Sequence, residues 1–265
     1  MARPSVSSHA GRNGRPPSPA LPPAELLKLR RWNTCTVANA IELITAADPL
    51  SLVNPEEVRD FMPELGPMVG VAMTAVITGR DARPKREQPG NFTEYRAYLA
   101  SVPGPKIVVV QDLDKPACLG SIWGEVGAST GLALGCVGTI TDGAIRDLEE
   151  MRHAGFKALA RRLAVSHAHA WPVRWGCEVE VFGARIRPGQ LLHADQHGFI
   201  LIPDDAREGL LAAARFLDDL ECDTVIAAAR QHHGRPVPEV LRRLEQAAAR
   251  YAAATIRRYG RSRER

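Results

Sequence analysis

The sequence predicts one α/β domain built on a mixed sheet and followed by C-terminal helices. Three observations carry that prediction. Helix-spaced and strand-like segments alternate from residue 24 to residue 155, short β-like segments cluster from 156 to 203, and from Asp204 onward apolar residues recur at three- and four-residue spacing. The 265 residues, 45% hydrophobic and 24% charged, are enough to bury such a core. No stretch approaches the roughly 18 to 20 apolar residues of a membrane-spanning helix, so no membrane segment is expected.

Residues 1–23, rich in Pro, Ser, Gly and Arg, read as a disordered leader without the apolar core of a secretory signal. Residues 24–205 form the expected α/β domain. AELLKLRRW (24–32) and TVANAIELI (36–44) have helical spacing, with Thr34 as the expected N-cap of the second. VGVAMTAVITG (69–79) is a strand ended by Gly79, and residues 80–92 are a polar loop. TEYRAYLASV (93–102) is a helix, and the Val-rich KIVVVQD (106–112) is a buried strand of the parallel type. A Gly-rich turn and helix fill 119–135, VGTIT (137–141) is a strand, and DLEEMRHAG (147–155) is a helix closed by Gly155. FKALA, the stretch around Val165, VEVFG, ARIRPGQLLHAD and HGFILIP supply the later β segments. Residues 206–265 are a helical extension ending in a basic tail that includes Arg257, Arg258, Arg261, Arg263 and Arg265.

The formal charge of +4 conceals an asymmetry. Residues 235–265 carry +6 and residues 1–24 carry +3, which leaves the middle at −5. A nucleic-acid binder has its basic stripe on the folded part, commonly with stacking aromatics, so nucleic acid is not an expected partner and the tail reads as solvated. The five cysteines are odd in number and widely spaced, with no C-x-x-C pair, which fits a reducing compartment and a cytoplasmic location.

The segment most suggestive of chemistry is LGSIWGEVGASTGLALGCVGTITDGAIRDLEE (119–150). Gly124 and Gly127 flank Glu125 and Val126 where a helix begins, so backbone N–H groups there can bind anionic oxygens. Arg146 and Asp147 leave the end of an apolar strand, the place where open α/β sheets hold ligands. Arg offers a fork for a carboxylate, and Asp offers a hard oxygen for Mg²⁺ or Mn²⁺. The same residues also make an ordinary strand-to-helix connection with Asp147 at the helix N-terminus. A second set is formed by His167 and His169, and by His193, Asp195 and His197. Two-residue spacing on strands would put each group on one face, where imidazoles and a carboxylate can bind Zn²⁺ or Fe²⁺. Alternatively these histidines face solvent or bond to backbone, or His193 and His197 line the active site. Trp123 and Trp175 wall a pocket or simply pack, and Cys118 reads as inert.

Taken together, VGVAMTAV, WGEVGASTGLALGCVGTITDGAIRD and RPGQLLHADQHGFILIP resemble the RraA-like family over about residues 33–205. That family includes the class II pyruvate aldolases acting on 4-hydroxy-4-methyl-2-oxoglutarate and 4-carboxy-4-hydroxy-2-oxoadipate, and some members carry the label dimethylmenaquinone methyltransferase. Its signature, an acid, twenty residues, then Arg-Asp, matches Glu125, residues 126–145 and Arg146-Asp147. The resemblance implies a three-layer β/β/α swivelling-type fold and a homotrimer or hexamer. It implies a lyase that cleaves or decarboxylates a small 2-oxo acid through a pyruvate enolate, with Mg²⁺ or Mn²⁺ as the cofactor. Asp147 would bind that metal, Arg146 the pyruvyl carboxylate and enolate oxygen, and Glu125 a metal-bound water. The amides of Gly124, Glu125, Val126 and Gly127 would hold the substrate carboxylate. Asn39, Gln190, His197 and Glu125 depart from the family's usual residues and point to a divergent subgroup with another substrate. Two other readings stand beside this one. The first is a non-catalytic RraA-like regulator that binds a ribonuclease. The second is a different metal-dependent reaction centred on His167, His169, His193 and His197.

Overall fold

Residues 22–261 are described in the computed structural model. All but the last two residues of the expected leader, and Arg263 and Arg265 of the tail, lie outside the described residues. The described residues open with α1 (Pro23–Lys28) and α2 (Thr34–Ile44), and continue through β1 (Arg59–Asp60), β2 (Met68–Thr78), α3 (Arg83–Glu87), α4 (Asn91–Ala100) and β3 (Lys106–Asp112). Next come α5 (Glu125–Ala133), β4 (Cys136–Ile145), α6 (Leu148–Ala154), β5 (Lys157–Leu163) and β6 (Trp171–Trp175). The short strands β7 (Val179–Val181), β8 (Ala184–Ile186), β9 (Leu191–Asp195) and β10 (Gly198–Ile202) follow, and then α7 (Leu210–Glu221), α8 (Ala227–Arg230) and α9 (Val237–Tyr259).

The main sheet has the order β1-β5-β4-β3-β2-β9-β10, with β6 also paired to β2. Strands β2, β3, β4 and β5 run parallel, whereas β1, β6, β9 and β10 join antiparallel, so the sheet is mixed as expected. Strand alternation divides the core. Val108 and Val110 of β3 pack with Tyr95, Leu99, Ala128 and Met151 under α4, α5 and α6, while Ile107 and Val109 face Val179, Val181 and Ile186 of the small β7–β8 sheet. The result is the three-layer β/β/α arrangement of a swivelling-type fold. A third cluster seats α1, α2 and α7 on Val69, Leu191, Ile200 and Ile202, with Tyr251 of α9 beside them.

Several local expectations shift for physical reasons. Asn33, not Thr34, caps α2, because its side chain accepts from the Thr36 amide at 2.8 Å. Strand β4 continues past Thr141 to Ile145 through a register shift, so it delivers Arg146 directly from its end. ARIRPGQLLHAD splits into β8 and β9 at a turn in which Gln190 Oε1 accepts from the Arg187 amide and Gly189 takes φ +85°. Lys106, wholly buried at the start of β3, donates from Nζ to the carbonyls of Leu99 (2.6 Å) and Val102 (2.5 Å) where α4 ends.

Candidate functional site at the end of strand β4

The site is hung on two chain segments that run side by side. Residues 120–123 follow the end of β4: the Ala144 amide donates to Gly120 O (2.9 Å), the Arg146 amide donates to Trp123 O (3.1 Å), and Trp123 bridges Ile145. This alignment brings Gly124, the N-cap of α5, against Arg146 and Asp147. A Cβ on Gly124 would stand 2.5 Å from Asp147 Oδ2 and 3.1 Å from Arg146 Cγ, so only glycine permits the approach. Gly127 is held as closely, since a Cβ there would meet Ile122 O at 2.6 Å.

Asp147 adopts the left-handed conformation (φ +53°, ψ +52°) and does not cap α6, the helix it precedes. Its side chain turns back. Oδ2 accepts from Arg146 Nε at 3.2 Å and from the Glu125 amide at 3.2 Å. Asp147 therefore caps α5, a helix that begins earlier in the chain, and balances the positive end of its dipole. Both side chains keep access to solvent, at 29% for Arg146 and 31% for Asp147. Glu125 enters the site through its amide, and the rest of the residue is exposed in the first turn of α5 beside Val126, itself 73% exposed. What this corner offers is a guanidinium with N–H groups to spare beside the N-terminus of a helix, an arrangement suited to an anion.

The expected Mg²⁺ or Mn²⁺ is not supported. Among the described residues, no group of three or more His, Cys, Asp or Glu side chains is placed to hold a metal ion. At Asp147 the reason is visible. One carboxylate oxygen is engaged by a charged guanidinium and by a helix-terminal N–H with its partial positive charge, and both oppose a cation at that oxygen. The assignment of Asp147 as a metal ligand is corrected accordingly, and with it that of Glu125 as the holder of a metal-bound water.

The histidines are not gathered either. His193, wholly buried on β9, meets Thr34 Oγ1 through Nδ1 (2.9 Å) and the Leu29 carbonyl through Nε2 (3.3 Å). Burial pushes its pKa down to about 4, so it is neutral and anchors the N-terminal helices to the sheet. Asp195 accepts from the Thr34 amide (2.8 Å) and from the amide and Nδ1 of His197, which lies in the β9–β10 turn. Burial works to raise the Asp195 pKa, but these hydrogen bonds outweigh it and the net shift is downward. His167 and His169 lie in the loop between β5 and β6, where His167 Nδ1 is 3.0 Å from Ser121 O and the His169 amide donates to Gly79 O. The expectation that they share a strand face is corrected.

A buried pair of acids behind the site was not singled out from sequence. Asp142 Oδ1 accepts from the Asp112 amide (2.7 Å), and Lys115 Nζ lies 3.3 Å from Asp142 Oδ2, within ion-pair range but outside hydrogen-bond geometry. Asp112 Oδ2 accepts from the Gly120 amide (2.7 Å), where the segment leading to Gly124 begins. Burial raises the Asp142 pKa to about 6, and it raises that of Asp112 as well. The available signal was Asp-Gly at 142–143, which reads as a turn but stands inside a strand.

Comparison with known proteins adds the lineage. The model of the RraA-like family, described as Aldolase/RraA, matches residues 34–201. A protein of Halalkalibacterium halodurans named "Putative 4-hydroxy-4-methyl-2-oxoglutarate aldolase" is 26% identical over 191 residues, covering 72% of this chain and 81% of that protein. Protein DlpA of Legionella pneumophila is 24% identical over 124 residues, 46% of this chain, which spans only 20% of DlpA. Among solved structures, an uncharacterized protein from Pseudomonas syringae pv. tomato superposes with a TM-score of 0.63 at 21% identity, over 87% of this chain and 95% of that one. Streptomyces coelicolor RraAS2, described as an unusual member of the RNase ES inhibitor RraA protein family, gives a TM-score of 0.59 at 18% identity, over 78% of this chain and 98% of that one. These two structures share the fold.

Proposed function

From a chain that belongs to the RraA-like family, Aldolase/RraA, we propose a protein that works by binding: a non-catalytic regulator whose partner is a ribonuclease. The observation that carries this reading is the use to which Asp147 is put. Its carboxylate holds Arg146 and caps α5, and the described residues offer no metal-holding group around it. An enolate-forming site needs strong, preorganised positive charge at the developing oxygen, and here the guanidinium is partly neutralised by its neighbour. The exposed first turn of α5, with Glu125 and Val126 outermost, is the surface offered to the partner. RraAS2, whose fold this chain shares, is described as a member of a family of ribonuclease inhibitors. We take the setting to be cytoplasmic, in keeping with five unpaired cysteines, and the assembly to be a homotrimer or hexamer. None of the described helices is long and apolar enough to cross a membrane.

The test is a cleavage assay with purified ribonuclease E and a structured RNA substrate. The expected result is stoichiometric, saturable inhibition, lost in Val126→Asp. No inhibition, together with no co-migration in size-exclusion chromatography, overturns the reading. A second reading keeps a small 2-oxo acid as ligand and a carbon–carbon lyase as activity. It is favoured by Arg146 beside the α5 amides and by the likeness to the Halalkalibacterium protein. Pyruvate release from oxaloacetate, followed with and without a chelator and in Arg146→Ala, decides it.

A further inference from the structure

Asp142 and Lys115 share their charges unequally between protein and solvent. Asp142 is wholly buried inside β4, at the register shift that carries the strand on to Ile145. Its Oδ1 accepts from the Asp112 amide at 2.7 Å, whereas Oδ2 receives no hydrogen bond from any described residue. The counter-charge at Oδ2 is Lys115 Nζ, 3.3 Å away on a side chain that keeps 40% of its surface in water. The other ionisable groups around Asp142 do not compensate it. Asp112, from β3, is a second buried acid, with Oδ1 taken by the Asp114 amide and Oδ2 by the Gly120 amide. Cys118 is a buried thiol whose pKa rises to about 11. Arg161, from β5, donates Nε to the main-chain carbonyl of Asp142 (3.2 Å) and Nη2 to Glu56 (3.1 Å). Glu180, from β7, has its side chain beside Arg185 (3.6 Å) and offers Lys115 only its carbonyl, 3.5 Å from Nζ.

Lys115 stands in the loop of residues 113–119 that joins β3 to the segment carrying Gly124. Both ends of this loop are pinned. The Leu113 amide donates to Ile77 O, Asp114 Oδ2 accepts from the Gly79 and Arg80 amides, and the Gly120 amide is held by Asp112. Between those ends Cys118 is held at φ +45°, a conformation that a non-glycine residue keeps only under restraint. A buried carboxylate with one unsatisfied oxygen favours its neutral form, and an ammonium with water at hand loses little by leaving. Burial accordingly raises the Asp142 pKa to about 6 in spite of Lys115.

We propose that Lys115 and Asp142 form a proton-operated latch on this loop. With Asp142 charged, the ammonium holds residues 115–119 against β4. When Asp142 takes up a proton the attraction ends, Lys115 turns out to water, and residues 115–119 loosen while the pinned ends stay in place. The Ala144 amide donates to Gly120 O, so the loosened stretch borders directly on the segment that presents Gly124 to Arg146 and Asp147. The latch makes mobility beside the candidate site a function of pH, whichever partner or ligand that site takes.

The test is NMR of the full chain labelled with ¹³C and ¹⁵N, titrated from about pH 8 to about pH 4.5. The Asp142 carboxyl carbon and the amides of residues 117–119 are expected to titrate together with a midpoint of about 6. On the acid side the order parameters of those amides should fall below about 0.6. Lys115→Met keeps the aliphatic stem and removes the charge. Its Asp142 midpoint should rise by about one pH unit or more, a tenfold tighter hold on the proton, and its loop should be mobile already at neutral pH. Asp142→Asn should leave the loop mobile at every pH. An Asp142 midpoint of about 4, the ordinary carboxylate value, overturns the proposal. So does a midpoint that Lys115→Met leaves unchanged, or a loop whose mobility does not follow the proton.

Discussion

The carboxylate of Asp147 sits 3.2 Å from Nε of Arg146, the residue before it, and equally near the amide of Glu125, 22 positions earlier in the chain. The left-handed backbone at Asp147 makes this possible by turning its side chain back over the end of β4. That conformation costs about 1–2 kcal/mol, and capping α5 returns about 1 kcal/mol. The partly exposed ion pair adds at most about 1 kcal/mol. The pair is therefore a near-balanced device in which one carboxylate occupies the anion site of its own protein.

Asp147→Asn should strengthen anion binding. Asn tolerates the left-handed conformation and keeps an acceptor for the Glu125 amide, but it releases the guanidinium. Oxalate affinity measured by calorimetry is expected to rise about 3- to 10-fold, on the order of a lost 1 kcal/mol competitor. A clear fall would mean that the Asp147 carboxylate itself contacts the ligand.

Gly124→Ala should damage the same site by volume alone. The added methyl group would press on Asp147 Oδ2 and Arg146 Cγ. The expectation is a loss of about 1–3 kcal/mol in stability, with oxalate binding weakened at least tenfold. Thermal unfolding and calorimetry read the two effects, and wild-type values in both would refute the close approach.

Two buried groups should oppose each other in acid. His193, with its pKa pushed down to about 4, is neutral in the folded chain. Between pH 6.5 and 4 the unfolded chain binds the extra proton, so the stability His193 contributes is complete above pH 6.5 and is lost as pH falls. Asp142, raised to about 6, binds its proton more tightly when folded. Its contribution is complete below about pH 4 and is lost as pH rises to 6. Each effect is on the order of 3 kcal/mol, and they nearly cancel in the wild type. Denaturant titrations should show His193→Gln losing less stability on acidification than the wild type, and Asp142→Asn losing more. Parallel profiles for all three proteins would refute the assignment.

Lys106→Met should cost about 2–4 kcal/mol although it removes a buried charge. The carbonyls of Leu99, in the last turn of α4, and of Val102, just beyond it, would be left without this donor. Urea unfolding measures this, and a neutral result would mean that water reaches those carbonyls.

Much of the fold was legible in the sequence. VGVAMTAVITG and KIVVVQD announced β2 and β3, because a strand buried on both faces is apolar throughout, and the late helices showed their three-and-four spacing. Trp171–Trp175 escaped as a strand, since WPVRW has a proline and an arginine and gains its place only by pairing with β2. Gly124 and the Arg146–Asp147 pair, singled out by residue type, do lie against each other, because so close an approach needs a glycine. The metal was misjudged because a carboxylate at a strand end looks the same in sequence whether it faces a cation or a guanidinium.

By itself, the sequence determined the succession of helices and strands, since periodicity and residue type are local properties, and its motifs pointed to the family. Only the tertiary structure decided what Asp147 and His193 do. Each answers to atoms far away in the chain, the Glu125 amide for one and Thr34 and Leu29 for the other. Those partners arrive through packing, and a carboxylate or an imidazole takes its charge and its role from what surrounds it.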